Sequence, residues 1–173
     1  MEKAGNPGSD PVQTLERLVR ENEVPLKRLC YLYLRDTSLA EDAVQETFLK
    51  AYRSLKDFRG EASEKTWLTK IAVNTCRDML RSAWFRHTDR RVTADMLPEA
   101  REIRDPYHRE VTAAVMNLPA KLREVILLYY YRGLSMVEIS EVLKISQPAV
   151  TGRLKRAREK LKAELKGGGI DEE

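Results

Sequence analysis

Apolar residues along this chain recur at steps of three and four and nowhere alternate, a pattern that predicts helices and no strand. Asp10-Pro11, a cap residue followed by a proline suited to the first helical position, opens the first helix, which continues through Leu15, Leu18 and Val19. Pro25 is expected to break it, and a second helix is predicted from about Pro25 to Leu34, with Leu26, Leu29, Cys30 and Tyr33 on one face. Arg35-Asp36-Thr37 reads as a short connection. Ser38 and Glu41 have the spacing of a capping box at the start of a third helix. There Val44, Phe48, Ala51, Tyr52 and Leu55 form the expected buried face, while Glu41, Asp42, Gln45 and Glu46 share the remaining surface. Asp57 to Ser63 reads as a loop around Gly60, with Ser63 capping a fourth helix that reaches about Phe85. Trp67, Leu68, Ile71, Ala72, Thr75 and Met79 are its expected inward face. Lys70, Asn74, Arg77 and Arg81, at steps of four, three and four, line one outward stripe, and an amide among cations at that spacing suits a nucleic-acid strand.

Periodicity is lost from about Arg86 to His108, where both charge signs mix with Pro98 and Pro106, so residues 86–108 are expected to form an extended linker. Beyond it, Val111, Ala114, Val115 and Leu118 mark a helix stopped by Pro119. Leu122, Val125, Ile126, Leu128 and Tyr129 mark another from about Ala120 to Tyr131, closed by Gly133. Ser135 to Leu143 and Gln147 to Lys162 form a final pair separated only by Lys144-Ile145-Ser146. Ile139, Val142 and Leu143 are placed to pack on Ile145, Val150 and Leu154, with small Ser140 allowing the close approach of a helix-turn-helix. Pro148 falls in the first turn of the second helix. Outward Ser146, Gln147, Ala149, Thr151, Gly152, Arg153 and Lys155 are short or polar at the amino end, as entry into a major groove requires. Lys144 stands where such a turn commonly takes a left-handed glycine, at a cost of about 1 kcal/mol. The expected fold is all-α: a four-helix domain over 10–85, the linker, a helix-turn-helix domain over 109–165, and a disordered tail over 166–173 containing Gly167-Gly168-Gly169 and Asp171-Glu172-Glu173.

Composition narrows the chemistry. The 173 residues include 31 Lys+Arg against 27 Asp+Glu, a net charge of +4, and 42% are apolar, which suits one or two small domains. The most apolar window, Val125 to Tyr131, falls far short of the ~20 residues needed to span a bilayer, and the amino terminus is polar. No membrane insertion or signal peptide is expected. Cys30 and Cys76 lie in apolar helical patterns without a CxxC spacing, so a reducing cytoplasmic setting is expected. His87 and His108, the only histidines, fall in a polar stretch and give little material for a metal site or a serine/histidine triad. Hydrolytic and metal chemistry are therefore not expected, and neither catalytic residues, metal, cofactor nor small-molecule substrate is assigned. Charge is more informative by position. From Thr151 to Lys162, Arg153, Lys155, Arg156, Arg158, Lys160 and Lys162 face only Glu159, and from Arg77 to Arg91 five arginines face Asp78 and Asp89. Two basic patches imply two contacts with a polyanion, unless each merely solvates an outer helix face.

The runs Ala40-Glu41-Asp42-Ala43-Val44-Gln45-Glu46-Thr47-Phe48-Leu49-Lys50-Ala51-Tyr52, Phe58-Arg59-Gly60-Glu61, Thr66-Trp67-Leu68 with Ile71-Ala72, Asn74 and Asp78, then Leu118-Pro119 and Gly133-Leu134-Ser135 to Arg158, resemble bacterial sigma factors of the extracytoplasmic-function group over about residues 12–165. The resemblance implies a specificity subunit of RNA polymerase. It would bind core polymerase, read the minus-thirty-five element with the carboxy-terminal domain and melt the minus-ten element with the amino-terminal one. By the same resemblance Asp42, Gln45, Glu46 and Leu49 would dock on the coiled coil of the largest catalytic subunit, with the flap region as a second polymerase contact. Lys56, Arg59, Ser63 and Lys65 of the loop, with Lys70, Asn74, Arg77 and Arg81, would meet the minus-ten side of promoter DNA. Ser146, Gln147, Ala149, Thr151, Gly152, Arg153, Lys155 and Arg156 would meet the minus-thirty-five side. The linker acids Asp89, Asp95, Glu99, Glu102 and Asp105 would pass toward the active cleft, and an anti-sigma factor would occlude both sets of faces. Glu64 departs from the family, which often has an aromatic residue there, and Trp67 is expected in the core rather than as a stacking platform. Two other readings of the same residues stand beside this one. A dimeric helix-turn-helix regulator with a helical sensing domain would read spaced half-sites, and a helical adaptor would carry its basic faces for solubility alone.

Overall fold

The computed structural model describes residues 10–81 and 106–167, all helix, turn and loop with no strand among them. The expected helix extension over 82–85, residues 86–105 of the expected linker and residues 168–173 of the expected tail lie outside the described residues, whereas 106–108, expected in the linker, already belong to a helix that opens at Pro106, and Lys166 and Gly167, expected in the tail, continue the last helix. The chain divides into two compact units, Met1–Thr88 and Asp89–Glu173.

Among its described residues the first unit holds three helices, α1 (Pro11–Leu34), α2 (Thr37–Ser54) and α3 (Glu64–Arg81), where the sequence pattern predicts four. Asp10 caps α1 by accepting from the Val12 amide at 3.2 Å, and Pro11 follows at the first helical position. Pro25 does not end the helix. It forfeits one backbone bond, normally a cost of about 3 kcal/mol in a helix interior. Leu18 before it and Leu26, Leu29 and Cys30 after it are all buried, and α1 packs on α2 and α3, so packing carries the helix through. The helix stops at Arg35, whose left-handed backbone (φ 58°) turns its amide onto the Tyr31 carbonyl at 2.7 Å. The cap of α2 is Asp36 rather than Ser38. Asp36 has the extended backbone a cap needs and accepts from the Leu39 amide at 3.0 Å, whereas Ser38 is already inside the helix and Glu41 reaches Lys27 of α1 at 2.7 Å.

A 3-10 turn (Leu55–Asp57) leads to the loop before α3, where Gly60 has φ 74°, a conformation that favours glycine. Ser63 caps α3 as expected, accepting from the Thr66 amide at 3.1 Å. The inward face of α3 is rotated from the prediction. Thr66, Leu68, Thr69, Ala72, Val73, Thr75 and Cys76 are buried, while Trp67, Ile71 and Met79 are half-buried. The buried threonines are tolerated because their hydroxyls return to the preceding turn, as Thr69 does to the Lys65 carbonyl at 2.6 Å and Thr47 to Ala43 at 2.6 Å. Cys30 and Cys76 are both free and buried. A hydrogen bond between the two thiols, and after it burial, holds the Cys76 thiol well above the usual range.

The second unit comprises α4 (Pro106–Asn117), α5 (Ala120–Ile126) running into a π turn (Leu127–Tyr131), α6 (Met136–Leu143) and α7 (Gln147–Gly167). α7 packs on α4, α5 and α6, with Leu154, Val150, Ile139, Val142, Leu128 and Val125 at the centre. Arg123, buried, closes the carboxy end of α4 by donating to the Met116 and Leu118 carbonyls at 3.1 and 3.0 Å. The predicted single helix from Ala120 to Tyr131 is thus half α and half π, its end marked by the Arg132 amide reaching back five residues to Leu127 at 2.9 Å. Gly133 has φ 67°, and Ser135 and Glu138 form a reciprocal capping box for α6.

Candidate protein and nucleic-acid interfaces

Position along α2 decides what its surface can do. Alanines, Val44, Thr47 and Phe48 anchor one side, which leaves Asp42, Gln45 and Leu49 exposed and Glu46 half-exposed on the other. Leu49 is 51% exposed, and Tyr52, expected in the core, is 45% exposed one turn further on. Tyr52 was missed because tyrosine scores as apolar at a core-like spacing, yet the buried stripe of α2 ends at Ala51. The result is a stripe running from acids to an amide to two large apolar side chains, with Lys50 3.9 Å from Glu46 at its side. Exposed apolar side chains bordered by acids fit a protein partner with a basic rim.

The loop before α3 and one face of that helix form the second candidate surface. Lys56, Arg59, Ser63, Lys65, Lys70 and Arg81 are exposed, and Asn74 and Arg77 are half-buried, so the stripe exists but its middle lies lower than its ends. Arg81 lies 3.7 Å from Asp78. Ser63 already spends its oxygen on the cap and on the Thr66 hydroxyl at 3.0 Å. Trp67 is neither fully core nor free. Its ring stacks on Phe58 of the loop with centroids 4.5 Å apart and planes 26° from parallel, so one aromatic pair ties the loop to the helix. Glu64, the departure noted in the sequence, is held by Arg17 of α1 through two contacts, Nη2 to Oε1 at 2.8 Å and Nη1 to Oε2 at 3.0 Å. Glu64 is the largest influence on Arg17, keeping its guanidinium above the ordinary range. No spacing in the sequence links residues 47 positions apart.

In the second unit, Lys144 adopts the left-handed conformation (φ 54°, ψ 45°) that the sequence pattern assigns to the turn; α6 and the start of α7 fall where expected, while α7 runs on to Gly167 rather than ending at Lys162. Gln147, Thr151, Lys155 and Arg156 are exposed along α7, with Ala149 and Gly152 half-exposed beside them. Ser146 is exposed, and its hydroxyl accepts from the Ala149 amide at 3.2 Å as the helix cap. Thr151 donates to the Gln147 carbonyl at 3.1 Å, and Arg156 lies along the helix toward Gly152. A β-carbon at Gly152 would meet open space. Packing therefore does not require this glycine, which costs the helix about 1 kcal/mol relative to alanine. Arg153 departs from the outward placement. Its guanidinium turns inward to Glu124 of α5 at 3.1 Å, and both side chains are largely shielded, 17% and 7% exposed. Glu124 sits in an apolar run and gave no sequence signal.

Behind these residues a groove of about 580 Å³ is lined by Val111, Val115, Ile126, Leu161 and Leu165 and rimmed by Arg158 and Lys162. Arg158 packs over the Tyr129 and Tyr130 rings at 5.6 and 5.5 Å and donates to the Tyr130 hydroxyl at 2.8 Å, which fixes one edge of the groove. Among the described residues no cluster of side chains could hold a metal ion, and no helix is long and apolar enough to cross a membrane.

Residues 18–86 match the family model described as Sigma-70 region 2, and residues 108–161 match that described as Sigma-70, region 4. The ECF RNA polymerase sigma factor SigW of Bacillus subtilis is 33% identical over 153 residues, covering 80% of this chain and 82% of the relative. Among solved structures, CnrH in complex with the cytosolic domain of CnrY is similar at 30% identity with a TM-score of 0.69, covering 94% of this chain and 92% of that one. The sigma factor RpoE of Bartonella quintana, in complex with the anti-sigma factor NepR, shares the fold with a TM-score of 0.69 at 20% identity, covering 92% and 99%.

Proposed function

The chain belongs to the extracytoplasmic-function group of sigma-70 RNA polymerase sigma factors, and from that membership we propose which of its surfaces performs each step of promoter-specific initiation. Sigma factors bind core polymerase and promoter DNA and carry no chemistry of their own. This chain accordingly works in the cytoplasm as a non-enzymatic subunit, with the polymerase supplying catalysis. The first unit is assigned to polymerase docking and the minus-ten element, the second to the minus-thirty-five element.

The observation that carries this reading is the stripe on α2. Asp42, Gln45 and Glu46 meet exposed Leu49 and Tyr52 on a helix otherwise sunk into its unit. In a dimeric regulator the acidic part of this stripe would have no polymerase role. The coiled coil of the largest polymerase subunit is its assigned partner: the acids steer a basic rim and the apolar pair supplies the buried contact. The groove between α4, the π turn and the end of α7 is assigned to the flap region.

Promoter melting falls to Lys56, Arg59 and Lys65 of the loop with Lys70, Asn74, Arg77 and Arg81, cations that follow a strand while the loop holds an unstacked base. Gln147, Thr151, Lys155 and Arg156 face the major groove. Gly152 lets a phosphate approach the backbone where a side chain would intervene, and Ser146 orients the helix end. Arg153 acts through Glu124, holding α7 on α5. An anti-sigma factor is the proposed regulator, a role supported by the neighbour solved in complex with one. It would cover the α2 stripe or the groove and so compete with polymerase.

The test is transcription in vitro with purified core polymerase on a pooled promoter library whose starts are sequenced. Protein-dependent starts sharing two spaced upstream motifs are expected. Reversing Asp42→Arg together with Glu46→Arg is expected to weaken polymerase binding at least about ten-fold, with the melting temperature unchanged. Undiminished binding by that double variant would remove the docking assignment. Neither binding nor starts would return the chain to the dimeric-regulator reading.

A further inference from the structure

We propose that Arg17 is a positioning residue for promoter opening, acting through Glu64: it cancels an acid that would otherwise repel DNA at the edge of the minus-ten surface. The inference rests on the sigma reading above. Glu64 is the first residue of α3, between exposed Ser63 and Lys65 and one turn before Trp67, whose ring carries the loop through Phe58. From position 56 to 65 the chain presents Lys56, Arg59 and Lys65 against Asp57, Glu61 and Glu64, so the segment alone has no net attraction for a phosphate strand. Arg17 supplies the missing cation from another helix. Its fork takes both Glu64 oxygens, at 2.8 and 3.0 Å, in the arrangement that neutralises a carboxylate most completely. Nη1 also reaches Glu21 of its own helix at 3.0 Å, but Glu21 is the more exposed acid and contributes a single contact. The pair is partly exposed, 40% at Arg17 and 22% at Glu64, so it adds little to folding, and variants are expected to remain folded.

Two modes of action are separable by experiment. A mechanical clasp fails when either partner is removed. A charge canceller fails only when Arg17 is removed and Glu64 remains. The structure favours the second, because Phe58–Trp67 stacking and the Ser63 cap already fix the loop and the helix start without the ion pair.

The experiment compares the unmutated protein, Arg17→Gln, Glu64→Gln and the double variant, each bound to core polymerase on one promoter. It reads permanganate reactivity of minus-ten thymines as the rate of opening, at about 50 mM and about 300 mM salt. Polymerase affinity and melting temperature are followed in parallel. Arg17→Gln is expected to slow opening about three- to five-fold at low salt, with the gap closing at high salt. Glu64→Gln alone should leave the rate unchanged or raise it, and the double variant should return to within about two-fold of the unmutated rate. A loss that persists in the double variant would overturn the proposal, since Arg17 would then act on DNA or polymerase directly. So would an equal, salt-independent loss in all three variants, the signature of a clasp, or no loss in Arg17→Gln. Absence of opening by the unmutated protein, and only that result, overturns the sigma reading together with the proposal.

Discussion

Arg153 shows how the same side chain reads differently in one dimension and in three. In sequence it is one cation of a basic run on a helix aimed at DNA. In the fold its guanidinium is committed to Glu124, a carboxylate 7% exposed among Leu122, Val125 and Ile126. Removing one member of a shielded pair costs more than the pair is worth, because the other is left charged and poorly solvated. Arg153→Met is therefore expected to destabilise the second unit by about 3 kcal/mol, and Glu124→Leu in the same chain to recover most of it, as read by urea denaturation. A variant at Arg153 that loses promoter binding would thus report a fold lost rather than a base contact removed. The exposure of Gln147, Thr151 and Lys155, which carry no such obligation, was legible from their spacing alone, since an amphipathic helix leaves them outside whatever the core does. Glu124 and Arg17 were not legible. Each draws its meaning from a partner on another helix, 29 and 47 residues away, and no local pattern encodes that distance.

At the scale of the element, helix existence followed from periodicity while helix ends followed only in part. Pro25 was expected to divide α1, and burial of Leu18, Leu26, Leu29 and Cys30 overrode it. Ser38 and Glu41 had the right spacing for a cap, but Asp36 has the extended backbone and accepts from the Leu39 amide, which places Ser38 inside the helix. The face of α3 turned because threonines at 69 and 75 can be buried once their hydroxyls bond back to the preceding turn, and Thr66 once its hydroxyl accepts from Ser63, which releases Trp67 to the loop. In the turn between α6 and α7 the local rule did hold. Lys144 has the left-handed backbone predicted for it, with its own amide on the Ser140 carbonyl. Lys144→Gly is expected to stabilise the protein by about 1 kcal/mol. For a unit of this size that raises the melting temperature by about 4–8 °C, measurable by calorimetry. The π turn lay beyond reach of the pattern, since Leu127 to Tyr131 reads as ordinary apolar helix.

Across the whole molecule, each unit has a core of its own. Leu18, Leu26, Leu29, Leu68 and Val73 fill the first, and Met116, Leu118, Leu128, Ile139 and Leu154 the second. A fragment spanning residues 106–167 is therefore expected to fold alone, with a helical circular-dichroism spectrum and a cooperative thermal transition. A broad, non-cooperative melt would show that the second core is insufficient by itself. The distribution of sulfur has a practical consequence. Both thiols of the chain, Cys30 and Cys76, are sealed in the first core, and the second unit has none. To a maleimide dye the folded molecule is blank, so a single cysteine placed on the α2 stripe, the loop before α3 or the open side of α7 becomes a sole point of attachment. Each face can then be watched as it meets polymerase or promoter, one at a time, without first stripping the protein of its own cysteines.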